Sequence, residues 1–284
     1  MDSKNKLNKN RNGLKFILSK KEINQYKLQG YLVLKNVLSE NEMETIDPVF
    51  DHFISGKEKE IMGKDFCDMS QPYGTPFEEF QLRNAMLPGK YMPSFNENVF
   101  YKIAKNISNQ LYKNGKSEMD YEQFLAKKPS KKNAEFSMHQ DLGYWPKTKN
   151  TWTATFSLAL SKAKIINGCL HVIPGSNNET ALRKHKPKSY SKNRIKSNSE
   201  RDDSHTLVIE SNPDDKLLYL PLERGDITIH DEKIVHGSGG NNSNQWRKTY
   251  IIAFRDSKTI KEERSIGFTP VSYTHLRAHE TRIH

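Results

Sequence analysis

Apolar positions fall into two textures along the chain. From Ser19 the run S-K-K-E makes a capping-box pattern, and Ile23, Tyr26 and Leu28 follow at roughly helical spacing before Gly30. That predicts a short helix stopped by a residue that enters the left-handed conformation freely. YLVLKNVL (31–38) is rich in Val and Leu and predicts a strand. Ser39-Glu-Asn-Glu opens a second helix carried by Met43, Ile46, Val49, Phe50 and Phe53. Residues 62–93 hold several Gly and Pro with little period and predict a loop of the kind that lids a site. Residues 97–114 predict a further amphipathic helix, through Val99, Phe100, Ile103, Ala104, Ile107 and Leu111.

From about residue 121 short β-rich runs bounded by turn residues take over: 151–160, 168–175, 205–210, 217–222, 226–230 and 249–256. Their spacing fits a small sandwich or barrel rather than alternating βαβ units. Helices first and an all-β block after them predict an α+β domain with a double-sheet core. VSYTHLRAHETRIH (271–284) does not continue the pattern, resembles translated vector or adapter sequence, and is left out of the predicted fold.

Composition narrows the class. With 284 residues, 35% of them hydrophobic, and with 13 Phe, 12 Tyr and 3 Trp, the chain is too aromatic to be disordered and suits one large domain. Cys67 and Cys169 are too few for a disulfide framework or a four-thiolate zinc site. No apolar run approaches the ~20 residues of a membrane span, and the basic N-terminus has no apolar stretch behind it. A cytoplasmic protein is expected. The net charge of +11 is concentrated: residues 1–21 carry +6 and residues 182–201 carry +7. The rest of the chain is therefore slightly acidic, which argues against a nucleic-acid surface and for solvated segments. The basic 182–201 segment also favours an anionic substrate near a cavity mouth.

The chemistry is concentrated in three places. In EFSMHQDLGYWP, His139 and Asp141 stand at i and i+2, so an extended strand turns an imidazole and a carboxylate to one side and Gln140 to the other. His236 ends the strand-like run before GSGGNN. Two histidines and one carboxylate make a facial triad that leaves open positions on an octahedral metal, the arrangement of non-haem Fe(II) oxygenases. Arg247 follows eleven residues after His236, with Ser238 between them. A guanidinium and a hydroxyl suit the far carboxylate of a dicarboxylate co-substrate.

With these residues in view, the chain resembles the phytanoyl-CoA dioxygenase family of Fe(II)/2-oxoglutarate-dependent oxygenases over most of residues 16–256. The resemblance rests on LSKKEINQYKLQGYLVLKNVLS, the HQD…YW segment, NGCLHVIPGSN and HGSG-N-x-S-x-x-R. It implies a double-stranded β-helix (jelly-roll, cupin-like) core at about 121–257, inside a single domain 16–258 with N-terminal helices packed on one sheet and a disordered basic tail at 1–15. It implies Fe(II) on His139, Asp141 and His236, 2-oxoglutarate held by Arg247 and Ser238, O2 as co-substrate, and Lys128 near the site mouth. Ser157 stands where relatives often carry Trp, which widens the expected pocket.

The remaining residues are read more plainly. His230 competes with His236 as the distal ligand but lacks its spacing to Ser238 and Arg247. His171 alternates with Cys169 and Ile173 and reads as packing or pocket lining; His52, His185 and His205 have no partner pattern. Gln140, Tyr144, Trp145, Ser157 and Asn84 are the expected substrate contacts. The expected function is oxidation, most simply hydroxylation, of a C–H bond in a small, anionic metabolite with release of succinate and CO2. The alternatives are a demethylase of nucleic acid or protein using the same iron, and an inactive jelly-roll acting as a binding module.

Overall fold

The computed structural model describes residues 7–269 apart from 73, 113–114, 131–133, 150 and 189–205. The expectation for the 271–284 segment therefore lies outside the described residues. At the other end, residues from 7 onward correct the reading of 1–15 as a disordered tail. β1 (Arg11–Asn12) and β2 (Lys15–Phe16) form a hairpin, Phe16 is fully buried, and the Arg11 guanidinium pairs with Glu42.

The capping box expected at Ser19 forms, and Ser39 makes a second one. The Ser19 hydroxyl accepts the Glu22 amide while the Glu22 carboxylate accepts the Ser19 amide, starting α1 (Lys20–Gln29). Gly30, at φ 78°, ends it, and a Cβ there would lie 2.8 Å from the Asn177 side chain. β3 (Tyr31–Leu34) follows, and Ser39 with Glu42 caps α2 (Glu40–Ile54) in the same way.

Residues 62–93 differ from the predicted loop. After α3 (Lys59–Met62) they hold β4 (Phe66–Asp68), β5 (Leu82–Met86) and α4 (Pro88–Tyr91). The Asp68 carboxylate ties this segment together by accepting the amides of Ser70, Gln81 and Leu82. Side-chain bonding of this kind leaves no apolar period to read.

The chain continues through α5 (Val99–Leu111), β6 (Ser117–Lys127), β7 (Phe136–His139), β8 (Thr153–Ala159) and β9 (Leu170–Val172). Next come β10 (His185–Pro187), β11 (Leu207–Ile209), β12 (Leu218–Tyr219), β13 (Ile227–Asp231), β14 (His236–Ser238), β15 (Arg247–Asp256) and α6 (Ser257–Ser265). The large sheet has seven strands in the order β3-β13-β8-β15-β6-β5-β4, and the smaller has four, β12-β9-β14-β7. Every pairing in both is antiparallel.

The large sheet is buried on both faces, and strand alternation sorts its side chains. On β15, Tyr250, Ile252 and Phe254 join Phe50, Phe100 and Phe124 in the core beneath α2 and α5. Arg247, Thr249, Ile251 and Ala253 point the other way and line a cavity between the sheets. The α+β class is as expected, with helices on one sheet and the cavity behind the other face. Among the described residues no helix is long and apolar enough to cross a membrane.

α6 closes the bottom of the large sheet through ions rather than apolar contact. Arg255 donates to Glu263 at 2.6 and 2.7 Å and to Asp120 at 2.7 Å, with all three side chains at most 3% exposed. Removing one partner strands buried charge. Glu263→Ala is expected to lose about 3–5 kcal/mol in a denaturant melt. A loss below about 1 kcal/mol, the range of exposed pairs, would contradict that role.

Candidate metal centre

β7 and β14 lie side by side with His139 and His236 as direct partners across the ladder. Gln140 is extended (φ −119°, ψ 131°), so Asp141, at the head of a short 3-10 turn, returns to the same side as His139. The i, i+2 geometry thus holds although the strand itself ends at His139.

His139 and His236 present themselves alike. The Nδ1–H of His139 donates to the Ser137 carbonyl at 2.7 Å, and that of His236 to the Ile234 carbonyl at 3.0 Å. A carbonyl only accepts, so each ring carries a proton on Nδ1 and turns Nε2 toward Asp141. Both Nε2 atoms converge on Asp141 Oδ1, at 3.3 and 3.4 Å. The donor atoms of the three residues lie within 4.8 Å of one another. Burial, together with the charges of His230 and His139, pushes the His236 imidazole well below its ordinary value. Burial acts upward on Asp141, but His236 and the hydrogen bonds of His139 and His230 outweigh it and hold the carboxyl well below the usual range. A divalent metal would take the place of any proton on Nε2 and bind the two imidazole nitrogens together with the ionised Asp141 carboxylate.

Asp141 has a second oxygen, and it is tied. Oδ2 accepts the Thr155 hydroxyl at 3.0 Å and lies 3.2 Å from His230 Nε2. His230 therefore braces the carboxylate from β13, and Thr155 does so from β8. His230, which competes with His236 in the sequence, thus supports the carboxylate, and Thr155 is a residue that no spacing rule marks. Thr155→Val should weaken metal binding about tenfold by freeing the carboxylate to rotate. Metal titration checks this, and an unchanged affinity would show Thr155 idle.

The cavity behind these residues measures about 1110 Å3 counting its open mouth, and Arg247 and Ser238 line it with the three donors. Arg247 is 6% exposed, its Nε has no hydrogen-bond partner, and it makes no ion pair among the described residues. Burial pushes its guanidinium down to about 10, so it stays charged at neutral pH. A buried, unpaired guanidinium is costly unless an anion joins it.

Lys128 is corrected. Its amide bonds the Gln81 carbonyl and its Nζ points to the exposed Glu78 carbonyl. Lys127, one residue earlier and on the opposite face of β6, is the lysine in the cavity. Its Nζ donates to Ser238 Oγ at 2.8 Å, to the Ser238 carbonyl at 3.2 Å and to the Gly239 carbonyl. A one-residue slip in register exchanges the two faces of a strand. Burial and the nearby Arg247 charge push the Lys127 ammonium well below its ordinary value.

The other expected contacts divide. Tyr144, Trp145 and Ser157 line the cavity; the Tyr144 hydroxyl accepts the Leu207 amide at 2.8 Å and Trp145 lies 4.0 Å from the Arg255 guanidinium. Gln140 does not reach it: its amide group bonds the Lys233 carbonyl at 2.6 Å and the Arg183 amide at 2.8 Å, tying loops together. Asn84 is fully buried on β5 and bonds Cys67 Sγ at 3.8 Å, outside the cavity lining. His171 contacts Met138 Sδ, His52 pairs with Glu58, and His185 accepts the Gln140 amide. His205 lies outside the described residues.

Two glycines explain the motif spelling. A Cβ on Gly168, at φ 76°, would lie 2.0 Å from the Gly239 carbonyl oxygen. One on Gly237 would meet Met138 Sδ at 2.8 Å and the Phe136 carbonyl at 2.9 Å. NGCLHVIPGSN and HGSGG are thus two backbones pressed together, which sets His236 and Ser238 in place.

A pair of histidines and a carboxylate opening onto a cavity that is also lined by a buried guanidinium fits a non-haem iron oxygenase of the 2-oxoglutarate type. Residues 26–249 match the phytanoyl-CoA dioxygenase family, and the chain belongs to it. It is 25% identical over 254 residues to the peroxisomal phytanoyl-CoA dioxygenase of Rattus norvegicus, covering 85% of this chain and 69% of the relative. A probable phytanoyl-CoA dioxygenase of Caenorhabditis elegans is 24% identical, covering 82% of this chain and 73% of the relative. Among solved structures, EvdO2 from Micromonospora carbonacea var. aurantiaca superposes with a TM-score of 0.66 at 21% identity, covering 84% of this chain and 91% of that one. EvdO2 has also been solved with 2-oxoglutarate bound. The chain is an Fe(II)/2-oxoglutarate-dependent dioxygenase.

Proposed function

We propose that the enzyme oxidises a C–H bond of a small molecule, most directly by hydroxylation, within a double-stranded β-helix formed by its two sheets. The observation that carries this reading is the alignment of His139, Asp141 and His236 with Arg247 across one cavity. The donor set fits iron: two imidazole nitrogens and one carboxylate oxygen, each oriented by a second hydrogen bond. Bound iron with 2-oxoglutarate supplies an O2-derived oxidant strong enough to take hydrogen from carbon, with succinate and CO2 released.

The rest is done by the protein's own residues. His139, Asp141 and His236 hold the metal and leave its other positions open. Arg247 takes the far carboxylate of 2-oxoglutarate, which supplies the anion that its burial calls for. Lys127 Nζ donates to Ser238 Oγ and to the Ser238 and Gly239 carbonyls. Ser238 Oγ thus accepts from Lys127 and keeps its own proton to donate into the cavity beside Arg247. Tyr144, Trp145 and Ser157 face the substrate, while the apolar walls exclude water.

The rat relative is named for an acyl-CoA, and another similar structure is the carbocyclase SnoK from nogalamycin biosynthesis. Both names point to a small-molecule substrate. Succinate release from 2-oxoglutarate, followed across a panel of small molecules, tests the reading. Stimulation by at least one compound, with oxygen transferred to it, is expected. Release indifferent to every compound would contradict it.

A further inference from the structure

Three side chains that line the cavity carry a buried polar atom with no hydrogen-bond partner among the described residues: Arg247 at Nε, His230 at Nδ1 and Thr228 at Oγ1. Arg247 is the anchor proposed for 2-oxoglutarate, and His230 braces Asp141 through its other nitrogen. Thr228 has no such role.

Alternation along β13 turns this hydroxyl inward. Ile227 and Ile229 are buried in the core beneath the helices, while Thr228 and His230 face the cavity. Thr228 is fully buried. Its ladder neighbours on that face are Val33 of β3, which offers no polar side-chain atom, and Ser157 of β8. Leu170, Leu220 and Leu222, which line the cavity from β9 and the stretch after β12, are equally apolar. A valine of the same shape would fill the position without a polar atom. A buried hydroxyl left unpaired is costly, and a ligand oxygen removes that cost.

The strand register places the hydroxyl on the path of the co-substrate. Thr155 and His230, which brace Asp141, pair with each other, and Ala253 of β15 pairs with Thr155. One step along the sheet, Ser157 pairs with Thr228 on one side and Ile251 on the other. The next step pairs Ala159 with Thr249, and Arg247 follows two residues before Thr249. Each step is about 7 Å. Thr228 therefore stands one step from the metal residues on the side of Arg247. A molecule that chelates the metal and reaches Arg247 passes this row. At neutral pH every oxygen of 2-oxoglutarate is an acceptor, and a threonine hydroxyl can donate.

We infer that the Thr228 hydroxyl donates to an oxygen of bound 2-oxoglutarate and helps to position it between the metal and Arg247. The inference rests on the proposed anchor at Arg247 and adds a neutral donor to it.

The test is calorimetric titration of the Fe(II)-loaded protein with 2-oxoglutarate under argon, together with the Tm of each protein without co-substrate. Thr228→Val keeps the shape and drops the hydroxyl. Its affinity should fall about tenfold or more, because the lost bond runs to a charged acceptor. Its Tm should equal or exceed that of the parent, since an unpaired hydroxyl has left the interior. Thr228→Ser keeps the hydroxyl and should stay within about threefold of the parent affinity. A valine variant within about twofold of the parent would overturn the inference, as would a serine variant as weak as the valine one. So would a valine variant of clearly lower Tm, which would show the hydroxyl already paired within the protein. Arg247→Ala is titrated first. If it binds as the parent does, the anchor itself has failed; if it binds weakly while Thr228→Val does not, only the role of Thr228 falls.

Discussion

Asp141→Ala abolishes turnover and metal binding while leaving a folded protein. Three losses coincide in this one substitution. The anionic donor goes, so two neutral imidazoles alone face a divalent cation. The Oδ1 on which His139 and His236 converge also disappears, and with it the shared point that holds the two rings together. Finally, Thr155 and His230 lose the oxygen they brace. None of these contacts belongs to the helix-packed core beneath the large sheet. A metal that binds only the folded state raises its stability by mass action. Fe(II) should therefore raise the Tm of the parent and not of the variant. A variant that keeps more than roughly one hundredth of the parent rate, or whose Tm still responds to Fe(II), contradicts the ligand assignment.

Arg247→Ala raises the KM for 2-oxoglutarate by about two orders of magnitude, the value of a charge-assisted, bidentate pair. The effect is large because Arg247 is buried and makes no ion pair among the described residues, so no neighbouring side chain stands ready to replace it. Lys127→Met should act on the same parameter by releasing the Ser238 hydroxyl, whereas Lys128→Met should leave it alone. Steady-state kinetics at varied 2-oxoglutarate settles both comparisons. Equal effects of the two lysine substitutions would place the strand face wrongly.

The lysine pair shows where sequence reading stops. Adjacent residues on a strand differ only in face, and face is fixed by register against β5 and β15, which no local pattern reveals. The helix starts at Ser19 and Ser39 were legible because their capping bonds run over three residues. β4 and β5 were not, since Asp68 side-chain bonding organises them without an apolar period. The same holds within the site. His139, Asp141, His236, Ser238 and Arg247 were picked out by spacing, and the fold brings all five to one cavity. Thr155 and Thr228 carry no motif, and only the alternation of β8 and β13 turns them inward. Gln140 was expected to reach substrate through a twist at the strand end, but it stays on the far face and bonds Lys233 and Arg183 instead.

Binding of one co-substrate at one metal centre underlies every role assigned to these residues. Anaerobic titration of the protein with Fe(II) and 2-oxoglutarate, followed in the visible range, measures this directly through the charge-transfer band of the chelate. The account predicts a saturable band that vanishes in His236→Ala and weakens in Arg247→Ala. A protein that binds Fe(II) and shows no band, or a band indifferent to both substitutions, would contradict it.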